Sequence, residues 1–311
     1  MMKGYALRRL RLIAVLVGHV LMPVWLIWLL ATMGPQDTST WLMVLFAAAA
    51  YTSYISVAGS WSWLGVYTQK ALPLAMVAAA FITRPRFVAI NDSPQAAELR
   101  LLALTLGVYF VVFTILALLG RRSKADALEL VFPLKSGTYI IGQGGRAKVI
   151  NRHARDRSQR FAIDILKLGG FGARANGLYP VSLKKYAIFG ADVFSPCEGV
   201  VVAAVDSFLD QIPPDRDRKN SSGNYVAVES NGATIYLTHL MKDSVRVDVG
   251  QRVRLGQVLA RVGNSGDSTE PHLHIHAEKG GYTGQFSGQP ALAMRFGGRF
   301  LVRNDCVDTP V

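Results

Sequence analysis

Leu12 to Met33, LIAVLVGHVLMPVWLIWLLATM, contains no Asp, Glu, Lys or Arg. A stretch of about 20 apolar residues is what an α-helix needs to cross a bilayer. In hydrocarbon only a helix or a closed barrel satisfies its own backbone polar groups. This feature fixes the first part of the chain as membrane helix before any other residue is considered. A second stretch runs from Trp41 to Ala58 and a strong last one from Leu101 to Gly120. Leu64 to Ile82 is a weaker third, interrupted by Gln69, Lys70 and Pro73. Half of the whole chain is hydrophobic, and the excess sits in these runs. No small-residue cleavage site follows a short apolar core, so the first run is expected to be an anchor and not a removed signal peptide. His19, inside it, is expected to make a packing or helix–helix contact.

Charge bears on orientation. Residues 1–125 carry eleven Lys and Arg against three Asp and Glu, and the remainder carries 23 against 18. The basic excess beside the apolar runs suits anionic lipid headgroups, so a lipid bilayer is one expected partner. Lys3, Arg8, Arg9 and Arg11 before the first run argue for a cytoplasmic N-terminus. Four spans then place the C-terminal half in the cytoplasm, joining RRSK (Arg121 to Lys124) to the N-terminal basic cluster. Three spans, with the third stretch re-entrant or interfacial, place it outside. Nothing interleaves Lys or Arg with aromatic residues as a nucleic-acid surface would, and no nucleic-acid partner is expected.

After Lys124 the pattern changes. TYIIG, FAIDIL, GVVVAAV, NYVAVES, ATIYLTHL, VLARVG and HLHIHAE read as short strands bounded by Gly, Asn, Asp and Pro. No long 3.6-residue period appears. The expected fold class is an N-terminal multi-span α-helical membrane region plus a C-terminal all-β domain of antiparallel, layered sheets. The expected divisions are residues 1–125 with three or four transmembrane helices, 126–290 as the β domain and 291–311 as a C-terminal tail. Cys197 and Cys306 are too few for a disulfide framework; one bond or two free thiols are both open.

Chemistry concentrates in PHLHIH, Pro271 to His276, which holds three of the chain's six histidines. On a strand, residues i and i+2 share a face about 7 Å apart. His272, His274 and His276 therefore project together, with Leu273 and Ile275 packing opposite. Imidazole is the commonest zinc ligand, but strand histidines can also be simply hydrogen-bonded. His239 ends another strand, and Asp164 sits among apolar residues where an acid needs a partner. A hydrolytic zinc site uses about three protein ligands and an open position, with groups nearby to move protons and steady an oxyanion.

GADVFSPCEGVVVAAV, GNYVAVES, YLTHL, VGQRVRLGQVLARVGNSGDSTEPHLHIH and FAIDI together resemble the lysostaphin-type (LytM-like) zinc metalloendopeptidases, which cut peptide bonds in peptidoglycan. The resemblance covers roughly Phe132 to Glu278 and not the membrane half. It implies a Zn2+ cofactor, with Asp164 and His274 as ligands. It implies that His239 and His272 are catalytic, orienting or deprotonating the attacking water and polarising the scissile carbonyl. Asn224 would be a structural wall residue. The pattern also has a histidine four residues before the aspartate, where this chain has Arg160. A guanidinium cannot bind zinc. His153, eleven residues before Asp164, is expected to take that ligand role; a surface-loop histidine is the other reading. His276 is either hydrogen-bonded near the site or a merely polar strand position.

Two functions follow from the resemblance. One is a membrane-anchored zinc endopeptidase acting on peptidoglycan stem peptides or cross-bridges. The other is a non-catalytic module that binds cell-wall peptides or activates a partner hydrolase. Retention of both His239 and His272 favours the enzyme. Peptidoglycan lies outside the inner membrane, so this function expects an inner-membrane, multi-pass protein with its soluble half outside, and a membrane or cell-wall regulatory partner is possible.

Overall fold

A computed structural model describes residues 2–33, 37–85, 91–122 and 126–310, with the side chains of 2–8 and 33 left undescribed. The Lys3 and Arg8 side chains, Ser123 and Lys124 of RRSK, and the expected 125/126 boundary therefore lie outside the described residues.

The N-terminal part is helical. Helix α1 (Met2–Leu16) passes through a π-turn (Val17–Leu21) into α2 (Met22–Met33), followed by α3 (Thr38–Ala58), α4 (Val66–Thr83) and α5 (Pro94–Gly120). Asp37 caps α3 by accepting from the Ser39 and Thr40 amides, and Arg100 pairs with it at 3.1 Å. Ser93 caps α5, where Pro94 occupies the first turn at no cost in hydrogen bonds. Four helices are long and apolar enough to cross a membrane: Arg9–Thr32, Thr38–Ala58, Val66–Thr83 and Pro94–Gly120. Their outer faces carry large exposed side chains such as Trp28, Leu74, Phe81, Ile82 and Leu101. Exposed apolar side chains in this number mark a surface for a membrane or another protein. The third stretch is thus a helix that runs through Pro73, a residue that helices in an apolar medium tolerate. His19 makes a packing contact: its Nδ1 lies 3.0 Å from the Val15 carbonyl of its own helix, its Nε2 accepts from the Ser60 amide after α3 at 2.9 Å, and its ring meets Trp61 edge-on at 4.8 Å.

The C-terminal part is a ten-stranded sheet. Strands β1 (Ala127–Leu130), β2 (Gly137–Gln143), β3 (Ile163–Lys167), β5 (Gly199–Val205), β6 (Asn224–Ser230), β7 (Ala233–Leu240), β8 (Arg252–Val253), β10 (Leu273–Lys279), β11 (Ala291–Phe296) and β12 (Cys306–Thr309) form it. Its main path is β12-β2-β3-β10-β7-β6-β5-β8, with β11 bridging β10 and β1. All pairings are antiparallel except β1 with β11. A two-stranded ribbon of β4 (Asp192–Phe194) and β9 (Val258–Arg261) packs its Val193, Leu259 and Ala260 onto Ile165, Val226, Leu237 and Ile275 of the sheet. The core therefore lies between two layers, as alternation on the strands requires. Cys197 and Cys306 are free thiols, the latter exposed.

Residues 291–311 depart from the expected tail. They supply β11 and β12, and Met294, Phe296 and Leu301 enter the core. The short strands are held by pairing with distant β1, β10 and β2, a non-local cause that local pattern does not display.

The two parts are joined by a polar interface at one end of the helices. Arg303 donates to the Gly59 carbonyl (3.2 Å) and Ser60 Oγ (2.7 Å), and Asn304 to the Val57 and Gly59 carbonyls. Arg121 pairs with Asp305 at 2.7 Å. The Arg174 guanidinium stacks 3.9 Å over Trp63, and Arg11 donates to Thr269 Oγ1 at 2.8 Å. The β domain thus touches the start of the first span, the end of α3, the start of α4 and the end of α5. If all four helices cross, the N-terminus and the β domain share one side of the membrane.

Candidate metal centre

Asp164 and His274 face each other across the β3–β10 pairing, in direct register. That register comes from the apolar neighbours: Leu273 and Ile275 pair with Ile165 and Ile163 and fill the core, which turns the intervening polar side chains to the opposite face. His274 Nδ1 lies 3.0 Å from Asp164 Oδ1. His153 Nε2 lies 3.0 Å from the same oxygen. His153 stands on a short 3-10 turn (Arg152–Arg155) whose start is fixed by Asn151. The fully buried Asn151 accepts from the His153 amide at 3.0 Å and donates to the Gly145 and Ala162 carbonyls, anchoring the turn beside β3. One ligand atom from each of His153, Asp164 and His274 falls within 4.8 Å of the others. Arg160, in contrast, is exposed and does not enter this group.

His272 and His239 border the three. His272 Nε2 is 3.6 Å from Asp164 Oδ1, and the His239 and His272 rings are 4.8 Å apart. The Nδ1 of His272 donates to the Glu270 carbonyl (2.8 Å), beside Ser268 Oγ at 3.1 Å. The Nδ1 of His239 donates to the Ser265 carbonyl at 2.9 Å. Both bonds leave a basic Nε2 on each ring. Among the described residues the buried His272 Nε2 has no hydrogen-bond partner.

His239 is aimed by its backbone. It has φ 61°, rare for a bulky residue, and lies where the β6–β7 register slips between Asn224 and Tyr225. Asn224 supports that slip, donating to the Phe208 and Leu240 carbonyls and accepting from the Phe208 amide. It is fully buried, behind the strand end that carries His239. The GNSGDST loop supports His239 from the other side. Gly223 and Gly266 both have positive φ, and a Cβ on either would collide with the opposing loop.

His276 is fully buried. It stacks on Tyr236 (4.7 Å, 9°), and its Nδ1 accepts from His274 Nε2 at 3.1 Å. Its Nε2 points toward Glu278 at 3.7 Å, too long for a hydrogen bond. A hydrogen bond to the far nitrogen of a ligating imidazole fixes its tautomer and raises its basicity.

Burial governs the electrostatics. It pulls His274 down to about 3, and lowers His239, His272 and His276 as well. Burial alone would raise the Asp164 carboxyl, but the neighbouring His153, His272 and His274 rings hold it well below the carboxylate range. At neutral pH Asp164 is therefore an ionised carboxylate and His274 a neutral imidazole, the forms a metal binds. Several electron-rich atoms crowd one carboxylate oxygen, an arrangement a cation would compensate. His153, Asp164 and His274 fit a metal by donor chemistry and by convergence.

Sequence reasoning did not single out Asn151, Arg152, Ser268 or Glu270. Asn151 was signalled only by the Asn-x-His spacing, which suits an Asx cap.

Residues 184–285 match the model of Peptidase family M23. The C-terminal part thus contains an M23 peptidase domain. Among solved structures, a peptidase M23 from Pseudomonas aeruginosa is 28% identical over 30% of this chain and 35% of that chain, with a TM-score of 0.23. A zinc-containing peptidase from Vibrio cholerae is 23% identical over 37% of this chain and 46% of that chain, with a TM-score of 0.23. The catalytic domain of lysostaphin from Staphylococcus simulans is 25% identical over 37% of this chain and 85% of that chain, with a TM-score of 0.20. The matched part of this chain spans less than half the length of the Pseudomonas and Vibrio proteins.

Proposed function

We propose that this chain, with its M23 domain joined to four apolar helices, is a membrane-anchored zinc peptidase that hydrolyses peptide bonds of peptidoglycan. The observation that carries the reading is the convergence of His153, Asp164 and His274 beside two histidines held through Nδ1. His153, Asp164 and His274 would hold the Zn2+. Zinc bound there supplies a Lewis acid that polarises a carbonyl and makes water a nucleophile near neutral pH.

The protein's own part is positioning and proton transfer. His239 and His272, neutral and held through Nδ1, each present an acceptor to the site, so either can take the proton of an attacking water. The ring that has done so becomes a donor, available to the leaving amine or to a developing oxyanion. His276 braces His274 through its outer nitrogen. Arg160 plays no part, and His153 does the ligand's work from the preceding turn.

A cell-wall substrate places the β domain outside the cytoplasm. With four crossing helices the N-terminus then lies outside as well. The basic residues at the domain end of the helices favour the opposite orientation, and with it a cytoplasmic peptide substrate. Fusions at Val311 decide between the two. Alkaline phosphatase activity is expected under the cell-wall reading, whereas a reporter active only in the cytoplasm would exclude peptidoglycan. For catalysis, the full chain in detergent should release peptides from purified peptidoglycan, lose that activity with a chelator and regain it with zinc. Release that persists without metal would defeat the proposal.

A further inference from the structure

A cavity of about 360 Å3 lies between the metal group and the helix ends. Asp164 and His272 of the β domain line it together with Arg11 and Trp63 of the helical part. Arg152 and Arg303 line it too, so three arginines from three separate segments meet at one cavity.

The charges there are unbalanced. Arg11 donates to a threonine hydroxyl, and Arg303 to a carbonyl and a serine hydroxyl. Among the described residues neither has a carboxylate partner in an ion pair. Arg152 lies 3.6 Å from Asp164, too long for a hydrogen bond, and that carboxylate already has His153 and His274 at 3.0 Å. The other acid of the cavity, Glu270, is taken up by the buried Arg174 at 2.7 Å. Burial pulls the Arg303 guanidinium down to about 10, so it stays charged at neutral pH while lacking a counter-ion. Clustered guanidiniums in a half-enclosed cavity bind planar or tetrahedral oxyanions through forked hydrogen bonds.

We propose that this cavity is an anion subsite of the peptidase centre, assembled by the helices and the β domain together, which takes a carboxylate or phosphate group of the substrate. The substrate class is then a peptide carrying such a group close to the scissile bond, engaged at the height of the membrane surface. The inference deepens the peptidase reading and rests on it. It also gives the helices a role beyond tethering, since Arg11 belongs to the first span.

The test uses the zinc-free full chain in detergent, so that anions cannot bind a metal. Inorganic phosphate and N-acetylalanine, a mimic of a peptide C-terminus, are titrated separately by calorimetry. Saturable binding of at least one probe is expected, and the probe that binds identifies the source of the anion. Arg11→Gln and Arg152→Gln alter side chains that are not in the core, and each should weaken that binding at least tenfold. Arg252→Gln, on the far edge strand, should leave it unchanged. Circular dichroism verifies that each variant is folded. No binding of either probe, or equal binding by wild type and the Arg11 and Arg152 variants, would overturn the subsite. Because no zinc or hydrolysis enters the assay, that result would leave the peptidase proposal standing.

Discussion

His153→Ala removes the one ligand whose place in the sequence departs from the resemblance. Its side chain contributes one of three protein atoms that converge within 4.8 Å, and its loss frees Asp164 from a 3.0 Å partner. Four-ligand zinc sites bind with apparent free energies of about 10–16 kcal/mol. One ligand is then worth roughly 3 kcal/mol, or somewhat over a hundredfold in affinity. Asp164 and His274 remain in register on β3 and β10, so the variant should still fold. The assay is competition for zinc between the full chain in detergent and a chromophoric chelator at fixed pH. An increase in Kd of about two orders of magnitude is expected. Unchanged affinity would refute the assignment, and with it the claim that the 3-10 turn after Asn151 replaces the ligand missing at Arg160.

Further outcomes follow from the same geometry. Arg160→Ala should leave zinc affinity unchanged in the same competition, because the side chain is exposed and outside the group. His276→Phe keeps a ring against Tyr236 but removes the acceptor for His274, and should weaken zinc binding roughly 10- to 100-fold. His239→Ala should keep zinc while peptide hydrolysis falls by about 10²–10⁴-fold, measured as release from peptidoglycan. In the zinc-free protein, His274 is lowered from its ordinary 6.5 to about 3. Below pH 6.5 the unfolded chain therefore takes up a proton that the folded chain refuses, and stability falls as pH falls. From pH 6.5 to 5 this one residue costs about 2 kcal/mol. Urea denaturation followed by near-UV circular dichroism should show that loss, and a flat profile between pH 7.5 and 5 would contradict it.

The sequence made some of this legible for physical reasons. Apolar runs and bilayer thickness share a length scale, so the helices could be read from composition, including the one that runs through Pro73. A strand alternates with period two, so HLHIH already separates its histidines from Leu273 and Ile275. The approach of His153 to Asp164 could not be read that way. It depends on an Asn151 cap and a turn whose carbonyl partners lie elsewhere in the fold. The fate of 291–311 was hidden for a similar reason, because β11 and β12 are specified by distant partners. His276 acquired its surroundings from Tyr236 on the neighbouring strand and from Phe286. The meeting of Arg11 with Thr269 joins residues 258 positions apart, and no local pattern announces it.

Zinc content and hydrolysis measured on one preparation test the central claim most directly. The full chain, purified in detergent without added metal and then dialysed against zinc, should hold about one zinc per chain. It should cleave peptidoglycan peptides in proportion to that occupancy, with a chelator abolishing both. A wild-type chain that binds no zinc, or that holds it stoichiometrically and cleaves nothing while His239→Ala behaves identically, would contradict the account.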